Sequence, residues 1–197
     1  MKGRAYMEVR LMTDYGRIEQ IYTDHMEKDF PANELKPLIA IRKALEEGIY
    51  ECYGLFSGRS LLAYAFFVKS GGHYLLDYFA VTQVYRNKGY GSVFLNRLAG
   101  YMTDAECVIC EVDDPEKAES PGEKELRERR KDFYLRNGFR MTPVRSVVFG
   151  AEFQLLTATK TRRYDAEEIT EIYSALYRSV LPQYFFETCF SVSTLPA

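Results

Sequence analysis

Residues 74–81 have the sequence YLLDYFAV, and residues 86–92 have the sequence RNKGYGS. The first run is rich in aromatic and aliphatic residues and predicts a strand, and an apolar stretch with helical spacing follows the second. A glycine-containing turn that opens a helix leaves backbone N–H groups without intrahelical partners, and the helix dipole favours an anion beside them. Because Gly89 and Gly91 carry no Cβ, a ligand can approach this backbone closely, and we predict an anion-binding turn here.

The glycine spacing fits neither of two common nucleotide-binding turns. The Walker turn has four residues between its first glycine and a Gly-Lys-Ser/Thr sequence, and the dinucleotide turn has three glycines. The segment instead resembles the Arg/Gln-x-x-Gly-x-Gly/Ala motif of the GNAT-type N-acetyltransferase superfamily. A second segment, residues 132–139 with the sequence DFYLRNGF, resembles another hallmark of this family and lies at the expected distance downstream.

This resemblance covers essentially the whole chain and implies the GNAT fold. The expected architecture is an α/β domain with a central mixed, mostly antiparallel twisted sheet of about seven strands, flanked by helices, with strands four and five splayed. A chain of 197 residues suits one domain with a single core. We therefore expect residues 1–197 to form a single domain, in which residues 165–197 supply a C-terminal helix and tail.

Hydrophobic periodicity and turn residues predict the individual elements. Strands are expected at residues 7–12, 49–56, 61–68, 74–81, 107–112, 145–149 and 152–157. Helices are expected after a Thr13 cap, from Leu35 to Gly48, after the glycine turn, from Leu126 to Asn137, and from an Asp165/Glu168 capping box to Pro182. The charged, proline-containing stretch 113–125 is expected to be a loop.

The composition favours small ligands over nucleic acid or membrane. The 26 Lys and Arg residues against 28 Asp and Glu residues give a net charge of −2, whereas nucleic-acid-binding domains are usually strongly basic. No apolar run approaches the roughly 18 residues needed to span a bilayer, and the first residues lack a signal-peptide hydrophobic region. We expect a cytoplasmic protein with no nucleic-acid and no membrane partner.

Metal and thiol chemistry are not expected. His25 and His73 are the two histidines, and the chain lacks the clustered Cys and His ligands of a zinc site. Cys107 and Cys110 lie on a predicted strand, where their odd separation puts them on opposite faces. We interpret both as buried thiols that act as small hydrophobes, and we predict neither a metal nor an acyl-enzyme.

The resemblance implies acetyl-coenzyme A (acetyl-CoA) as the cosubstrate. In this family the pantetheine arm lies along strand four, which maps to the backbone of Phe79 and Val81, with Ala80 between them. The diphosphate meets the N–H groups of the turn, and the side chains of Arg86 and Lys88 add favourable charge. The turn residues implied are Asn87, Lys88, Gly89, Tyr90, Gly91 and Ser92.

Acetyl transfer to an amine also needs an acid and a base. The tyrosine of the family's Phe-Tyr-x-x-x-Gly-Phe segment maps onto Tyr134, and a phenol with an ordinary pKa of about 10 suits protonation of the leaving thiolate. For the base, Glu111 at the end of the fifth strand is the first candidate, and Asp77 and Glu34 are alternatives. Asp77 shares a strand face with Phe79, and Glu34 lies in the region that covers the acceptor site in relatives.

The predicted function is transfer of an acetyl group from acetyl-CoA directly to a primary amine of a small molecule or a peptide. Residues 24–43 and 113–125, expected to face the acceptor, carry both signs of charge and select no acceptor class. The alternatives are a catalytically silent acyl-CoA-binding sensor and a protein-interaction domain on the same fold. A docking strip would then use Tyr184, Phe185, Phe186 and Phe190, although these rings fit the core or a homodimer seam equally well.

Overall fold

A computed structural model describes residues 6–195 of the chain. Within that range eight strands form one sheet in the order β1-β2-β3-β4-β5-β7-β6-β8. The strands are β1 (Met7–Leu11), β2 (Tyr50–Ser57), β3 (Ser60–Ser70), β4 (His73–Val81), β5 (Cys107–Asp113), β6 (Arg140–Val148), β7 (Ala151–Thr159) and β8 (Phe190–Thr194).

Seven α-helices are present in the same part of the chain. They are α1 (Tyr15–Ile21), α2 (Glu27–Asp29), α3 (Leu38–Glu46), α4 (Tyr90–Tyr101), α5 (Pro121–Arg136), α6 (Ala166–Val180) and α7 (Gln183–Cys189). A π-helical turn, Tyr22–Met26, joins α1 to α2, and short 3-10 turns cover Gln83–Tyr85 and Pro115–Lys117. None of the described helices combines the length and the apolar character that crossing a bilayer requires.

The sheet is mixed, as predicted. β4 and β5 pair in parallel from His73↔Cys107 to Leu76↔Cys110, and their ladder ends there although both strands continue. The pairs β1·β2, β5·β7, β6·β7 and β6·β8 are antiparallel. The α/β GNAT fold with splayed fourth and fifth strands is therefore confirmed.

The chain packs as two compact units, each with its own buried apolar residues. One unit contains the described residues before Val68 together with Asp77–Thr103, and the other contains Val68–Leu76 and the described residues from Asp104 onward. Fully or almost fully buried side chains of the first unit include Ile18, Ile21, Met26, Ile41, Leu55, Tyr64, Phe66, Phe94 and Leu98. Those of the second unit include Tyr74, Leu75, Ile109, Leu155, Leu156, Ile169, Tyr173 and Leu176.

The local signals that were strongest in the sequence are confirmed. The Asp165/Glu168 capping box opens α6 with both reciprocal hydrogen bonds, because each side chain satisfies a backbone N–H that the helix leaves unpaired. α5 ends at Arg136, and Gly138 then adopts a left-handed φ of 95°, as a C-terminal glycine signal predicts.

Other boundaries need correction. The sheet has eight strands rather than about seven, because the aromatic tail forms α7 and then β8 against β6. The first helix is capped by Asp14, whose side chain accepts from the Gly16 N–H, and not by Thr13. The predicted helix from Leu35 begins only at Leu38, after Pro37 at its N-cap.

The predicted loop at residues 113–125 is also shorter than expected. α5 already begins at Pro121, with Ser120 as N-cap accepting from the Glu123 N–H. A serine cap followed by proline is a helix start signal, but the first half of this helix is so charged that no apolar stripe revealed it. The predicted strand at 145–149 starts instead at Arg140, with a register shift between Met141 and Arg145 around Pro143, because proline cannot donate to the ladder.

Candidate active site

The turn predicted to bind the diphosphate, residues 86–92, has left-handed backbone at two positions. We call these residues the cofactor turn. Asn87 has a φ of 60° and Gly89, the N-cap of α4, has a φ of 79°. A Cβ at Gly89 would meet nothing within 4 Å, so the backbone conformation and not crowding requires glycine there.

The cofactor turn presents the start of α4 in the manner of an anion site. The Gly89 N-cap makes no side-chain cap hydrogen bond, and the Val93 N–H donates to the Gly89 carbonyl at 3.2 Å. The amides of Tyr90, Gly91 and Ser92 therefore precede the first i to i−4 bond of the helix. Successive N–H groups in such a turn form a concave anion-binding surface at the positive end of a helix dipole.

The two cationic side chains of the cofactor turn fold back onto the protein. The Lys88 ammonium donates to the Val84 carbonyl at 2.9 Å and lies 5.5 Å from the centroid of the Tyr85 ring. The Arg86 Nε donates to the Val81 carbonyl at 3.0 Å, and its terminal nitrogen pairs with Asp29. Both cations thus have protein acceptors. That they add favourable charge for a diphosphate stays a prediction.

The end of β4, predicted to contact the pantetheine arm, is partly accessible. Phe79, Ala80 and Val81 are all half-buried, whereas Tyr78 just before them is buried. The Phe79 ring stacks on Phe94 of α4 with centroids 5.7 Å apart. This contact holds the strand end and the helix that follows the cofactor turn together.

Asp77 and Glu34, the alternative bases, lie in one hydrogen-bonded network. Asp77 pairs with the Lys36 ammonium at 2.6 Å and accepts a hydrogen bond from Tyr50, and its side chain is only 4% exposed. The Tyr78 hydroxyl donates to the Glu34 carbonyl at 2.9 Å and accepts from the Lys36 N–H at 2.8 Å. The carboxylate of Asp77 is thereby committed to an ion pair that holds residues 34–36 against β4.

Tyr134, the predicted acid, is buried in the second unit with a side chain that is 3% exposed. Its ring packs edge-on against Phe133 and Phe139, with centroids 5.2 and 5.4 Å away. Its phenol is hydrogen-bonded with the Cys110 thiol and with the Arg130 guanidinium. Burial raises the pKa of Tyr134, Cys110 adds to the increase and Arg130 opposes it, so the phenol keeps its proton at neutral pH.

Burial also keeps the Cys110 thiol protonated and therefore unreactive. It is 1% exposed, and burial raises its pKa to about 12. Cys107 is also buried, which raises its pKa to about 11. Because thiolates and not thiols are nucleophiles, these values favour buried structural thiols over an acyl-enzyme.

We predict that Cys110 makes the fold less stable at alkaline pH. Between pH 9 and the folded-state pKa of about 12, an unfolded thiol has lost its proton while the folded one retains it, so rising pH favours unfolding. The free energy of unfolding of Cys110→Ala should therefore fall less steeply above pH 9, by about 1.4 kcal/mol per pH unit. Denaturant titrations with reductant between pH 8 and 10.5 measure both slopes, and equal slopes would contradict the assignment.

Glu111, the first candidate base, is held by two phenols of α6. Its Oε1 accepts hydrogen bonds from Tyr173 and, at 2.7 Å, from Tyr177. The Tyr173 hydroxyl also lies 2.8 Å from the Ser146 hydroxyl. Both tyrosines lie within the last helix that the sequence predicts, but no functional role was assigned to them. Their spacing of four residues, which places both on one face of that helix, was the signal that both could reach one partner.

Glu111 and Tyr134 approach β5 from opposite faces. Cys110 contacts Tyr134, while its neighbour Glu111 contacts Tyr173 and Tyr177. Consecutive side chains of a strand point to opposite faces, so the two predicted catalytic groups are brought to the same strand but not to the same face of it.

The aromatic tail divides between packed and exposed rings. Phe190 stacks on Phe186 at 4.8 Å and lies 5.4 and 4.9 Å from the rings of Tyr173 and Tyr177. Tyr184 and Phe185 are 69% and 41% exposed. Half of the predicted docking strip therefore covers the tyrosines that hold Glu111.

In the described part of the chain, no three His, Cys, Asp or Glu side chains come together in a group able to hold a metal ion.

Comparison with known proteins identifies a family. The model of the GNAT acetyltransferase family matches residues 16–139, and no curated protein matches the chain. Among solved structures, a protein from Bacteroides thetaiotaomicron assigned to the GNAT family superposes with a TM-score of 0.68 at 19% identity, covering 91% of this chain and 98% of its own.

Two further solved structures are similar to this chain, with lower TM-scores. The ribosomal-protein-S18-alanine N-acetyltransferase from Escherichia coli has a TM-score of 0.59 at 15% identity, covering 82% of this chain and 98% of its own. A Bacillus subtilis acetyltransferase in complex with CoA has a TM-score of 0.54 at 14% identity, covering 79% and 99%. At these identities the structures show a shared fold.

Proposed function

The chain belongs to the GNAT acetyltransferase family, and we propose that it transfers an acetyl group from acetyl-CoA to a primary amine of a small molecule or a peptide. The observation that carries this proposal is the cofactor turn. Its left-handed Gly89 caps a 12-residue helix without a side-chain cap, at the position where the sequence matches the diphosphate motif of the family. A diphosphate would fit there because the backbone supplies several N–H donors and the helix supplies a positive end.

The cosubstrate contacts follow from the same residues. Phe79, Ala80 and Val81 would line the pantetheine arm with a partly accessible strand end, and the amides of Asn87 through Ser92 would hold the diphosphate. Phe79 stacked on Phe94 keeps these two groups of contacts in fixed relation. The bound cosubstrate supplies an activated thioester, and the residues of the chain supply its orientation and the proton transfers.

The reaction needs three proton transfers, with Glu111 acting from one face of β5 and Tyr134 from the other. The acceptor arrives as an ammonium, and Glu111 would take its first proton through a water molecule so that a neutral amine can attack. As the new N–C bond forms and the C–S bond breaks, Tyr134 would donate its phenolic proton to the departing thiolate, and the second proton lost by the attacking nitrogen would restore the phenol. Burial raises the pKa of Tyr134, which keeps that proton in place until a thiolate forms. The hydroxyls of Tyr173 and Tyr177 donate to the Glu111 carboxylate and fix its orientation.

Titration of acetyl-CoA into the purified protein by calorimetry tests the proposal, and Gly89→Ala tests the turn. We expect wild type to bind and Gly89→Ala to bind about tenfold more weakly, because a side chain at a left-handed φ costs roughly 1–2 kcal/mol. Gly100→Ala is the matched control. Gly100 lies in the same helix and a Cβ there meets nothing within 4 Å. The Gly100→Ala variant should therefore bind acetyl-CoA with the affinity of wild type.

An acceptor panel then separates an enzyme from a sensor. The panel contains amines, aminoglycosides, amino acids and peptide N-termini, and release of free thiol reports turnover. Binding of acetyl-CoA without turnover of any acceptor would favour the silent sensor, whereas absence of binding would overturn the proposal.

A further inference from the structure

A buried carboxylate, Asp29, contacts the cofactor turn from the end of α2. Its side chain is 2% exposed and pairs with the guanidinium of Arg86. The hydroxyl of Tyr64, a fully buried residue of β3, donates to the other Asp29 oxygen at 2.8 Å. Asp29 and Arg86 lie 57 positions apart in the sequence, so no local pattern indicated this pair.

Arg86 joins three parts of the first unit. Its Nε donates to the carbonyl of Val81, the last residue of β4, at 3.0 Å. Its terminal nitrogen pairs with Asp29, and the next residue, Asn87, is the first left-handed position of the cofactor turn. The orientation of the Arg86 side chain is therefore linked to the path by which the chain leaves β4 and enters the turn.

We propose that Asp29, acting through Arg86, is a positioning residue that sets the geometry of the cofactor turn, an inference that rests on the function proposed above. Asp29 holds the guanidinium so that Arg86 braces the carboxyl end of β4. The N–H groups of the turn are then preorganised for a diphosphate, and less free energy is spent on ordering the turn when the ligand binds.

The ion pair of Asp29 with Arg86 also connects the cofactor turn to residues 24–43, the segment expected to face the acceptor. That segment contacts β4 a second time, through the Lys36 ion pair with Asp77 at 2.6 Å and the Tyr78 hydrogen bonds to residues 34 and 36. Asp29 thus supplies one of the contacts that hold the segment against β4 and its exit, beside those of Lys36 and of the Phe30 ring, which packs edge-on against Tyr78 at 4.9 Å. Binding at the cofactor turn should therefore reduce the motion of residues 24–43.

A purely electrostatic role of Arg86 predicts the opposite change in acetyl-CoA affinity when the charge of Asp29 is removed. If Arg86 served only as a positive charge for the diphosphate, neutralising Asp29 would free the guanidinium and raise the local positive potential. An anionic ligand would then bind more tightly to Asp29→Asn. If Asp29 positions the turn, the same substitution weakens binding, so the sign of the change separates the two roles.

The test is a double-mutant cycle on acetyl-CoA affinity, measured by calorimetry on variants whose folding is verified by circular dichroism. We expect Asp29→Asn and Arg86→Ala each to weaken binding about tenfold, and the double variant to be no weaker than either single variant. Glu19→Gln is the control, because it removes the same charge from an exposed position on α1 and should leave the affinity unchanged. Equal or tighter binding by Asp29→Asn, or additive losses in the double variant, would overturn the proposal.

A milder variant and a second measurement cover the case in which Arg86→Ala does not fold. Tyr64→Phe removes only the second hydrogen bond to Asp29 and should weaken binding about threefold. Hydrogen exchange should slow at residues 24–43 when acetyl-CoA binds wild type, and not when it binds Asp29→Asn.

If wild type binds no acetyl-CoA, the proposed function fails, and the positioning role is judged from the free protein. Asp29→Asn should then speed exchange at residues 86–92, and unchanged exchange there would refute it.

Discussion

Replacing Tyr134 by phenylalanine is expected to lower kcat by about 10²–10³-fold while the affinity for acetyl-CoA changes by less than about twofold. The substitution removes the proton that the departing thiolate needs and keeps the ring that packs between Phe133 and Phe139. Burial raises the pKa of Tyr134, so the wild-type phenol stays protonated over the whole neutral range. The measurement is steady-state turnover with an acceptor found in the panel, beside a calorimetric titration of acetyl-CoA.

A matched control separates chemistry from packing in this experiment. Tyr184→Phe removes a hydroxyl from a ring that is 69% exposed and should leave kcat unchanged. Cys110, which is hydrogen-bonded with the Tyr134 phenol, loses a partner in Tyr134→Phe, so thermal unfolding of the variant is compared as well. Turnover within threefold of wild type, at unchanged stability, would remove Tyr134 from the acid role.

Glu111→Gln is expected to lower kcat/KM by about 10²–10³-fold at neutral pH and to abolish the acidic limb of the pH–rate profile. Glutamine keeps the shape of the side chain and can still accept from Tyr173 and Tyr177, but it cannot take a proton from an ammonium. The expected profile of wild type falls at low pH as Glu111 becomes protonated. A Glu111→Gln variant that keeps this limb would assign the limb to another group.

Asp77→Asn provides the comparison between the candidate bases. Asp77 is 4% exposed and already paired with Lys36 and Tyr50, so neutralising it leaves the Lys36 ammonium without its counter-charge. Breaking a buried pair in this way usually costs about 3–5 kcal/mol of stability. We therefore expect Asp77→Asn to lower the free energy of unfolding while the acidic limb of the pH–rate profile persists. Glu111→Gln should abolish the acidic limb and leave the free energy of unfolding nearly unchanged.

Several elements could be predicted because each depends on a signal within a few residues. The Asp165/Glu168 box, the left-handed Gly138 and the glycine-opened α4 are confirmed in the structure. Backbone hydrogen bonding and steric limits act locally in all three. α7 and β8 escaped prediction because both are short, with seven and five residues. The alternation of apolar and polar residues at 190–193 is too brief to predict a strand without its partner β6.

The site shows the same division between local and distant causes. Sequence motifs indicated which backbone could bind a diphosphate and which tyrosine could act as the acid. They could not indicate that Lys88 folds onto Val84 or that Arg86 pairs with Asp29. They also did not indicate that two phenols of α6 converge on one oxygen of Glu111.

The amino-acid sequence by itself determined the family, through two short motifs. It also determined the order of most strands and helices along the chain and the left-handed glycine at the start of α4, because these features depend on interactions between residues that are close in the sequence. Only the tertiary structure decided the charges and hydrogen-bond partners around Arg86, Glu111 and Tyr134. Asp29 lies 57 positions from Arg86, Tyr173 and Tyr177 lie 62 and 66 positions from Glu111, and Cys110 lies on a different element from Tyr134, so these groups meet only after the sheet has formed. The pKa of Tyr134 is raised chiefly by burial, which is a property of the packed chain and not of any segment within it.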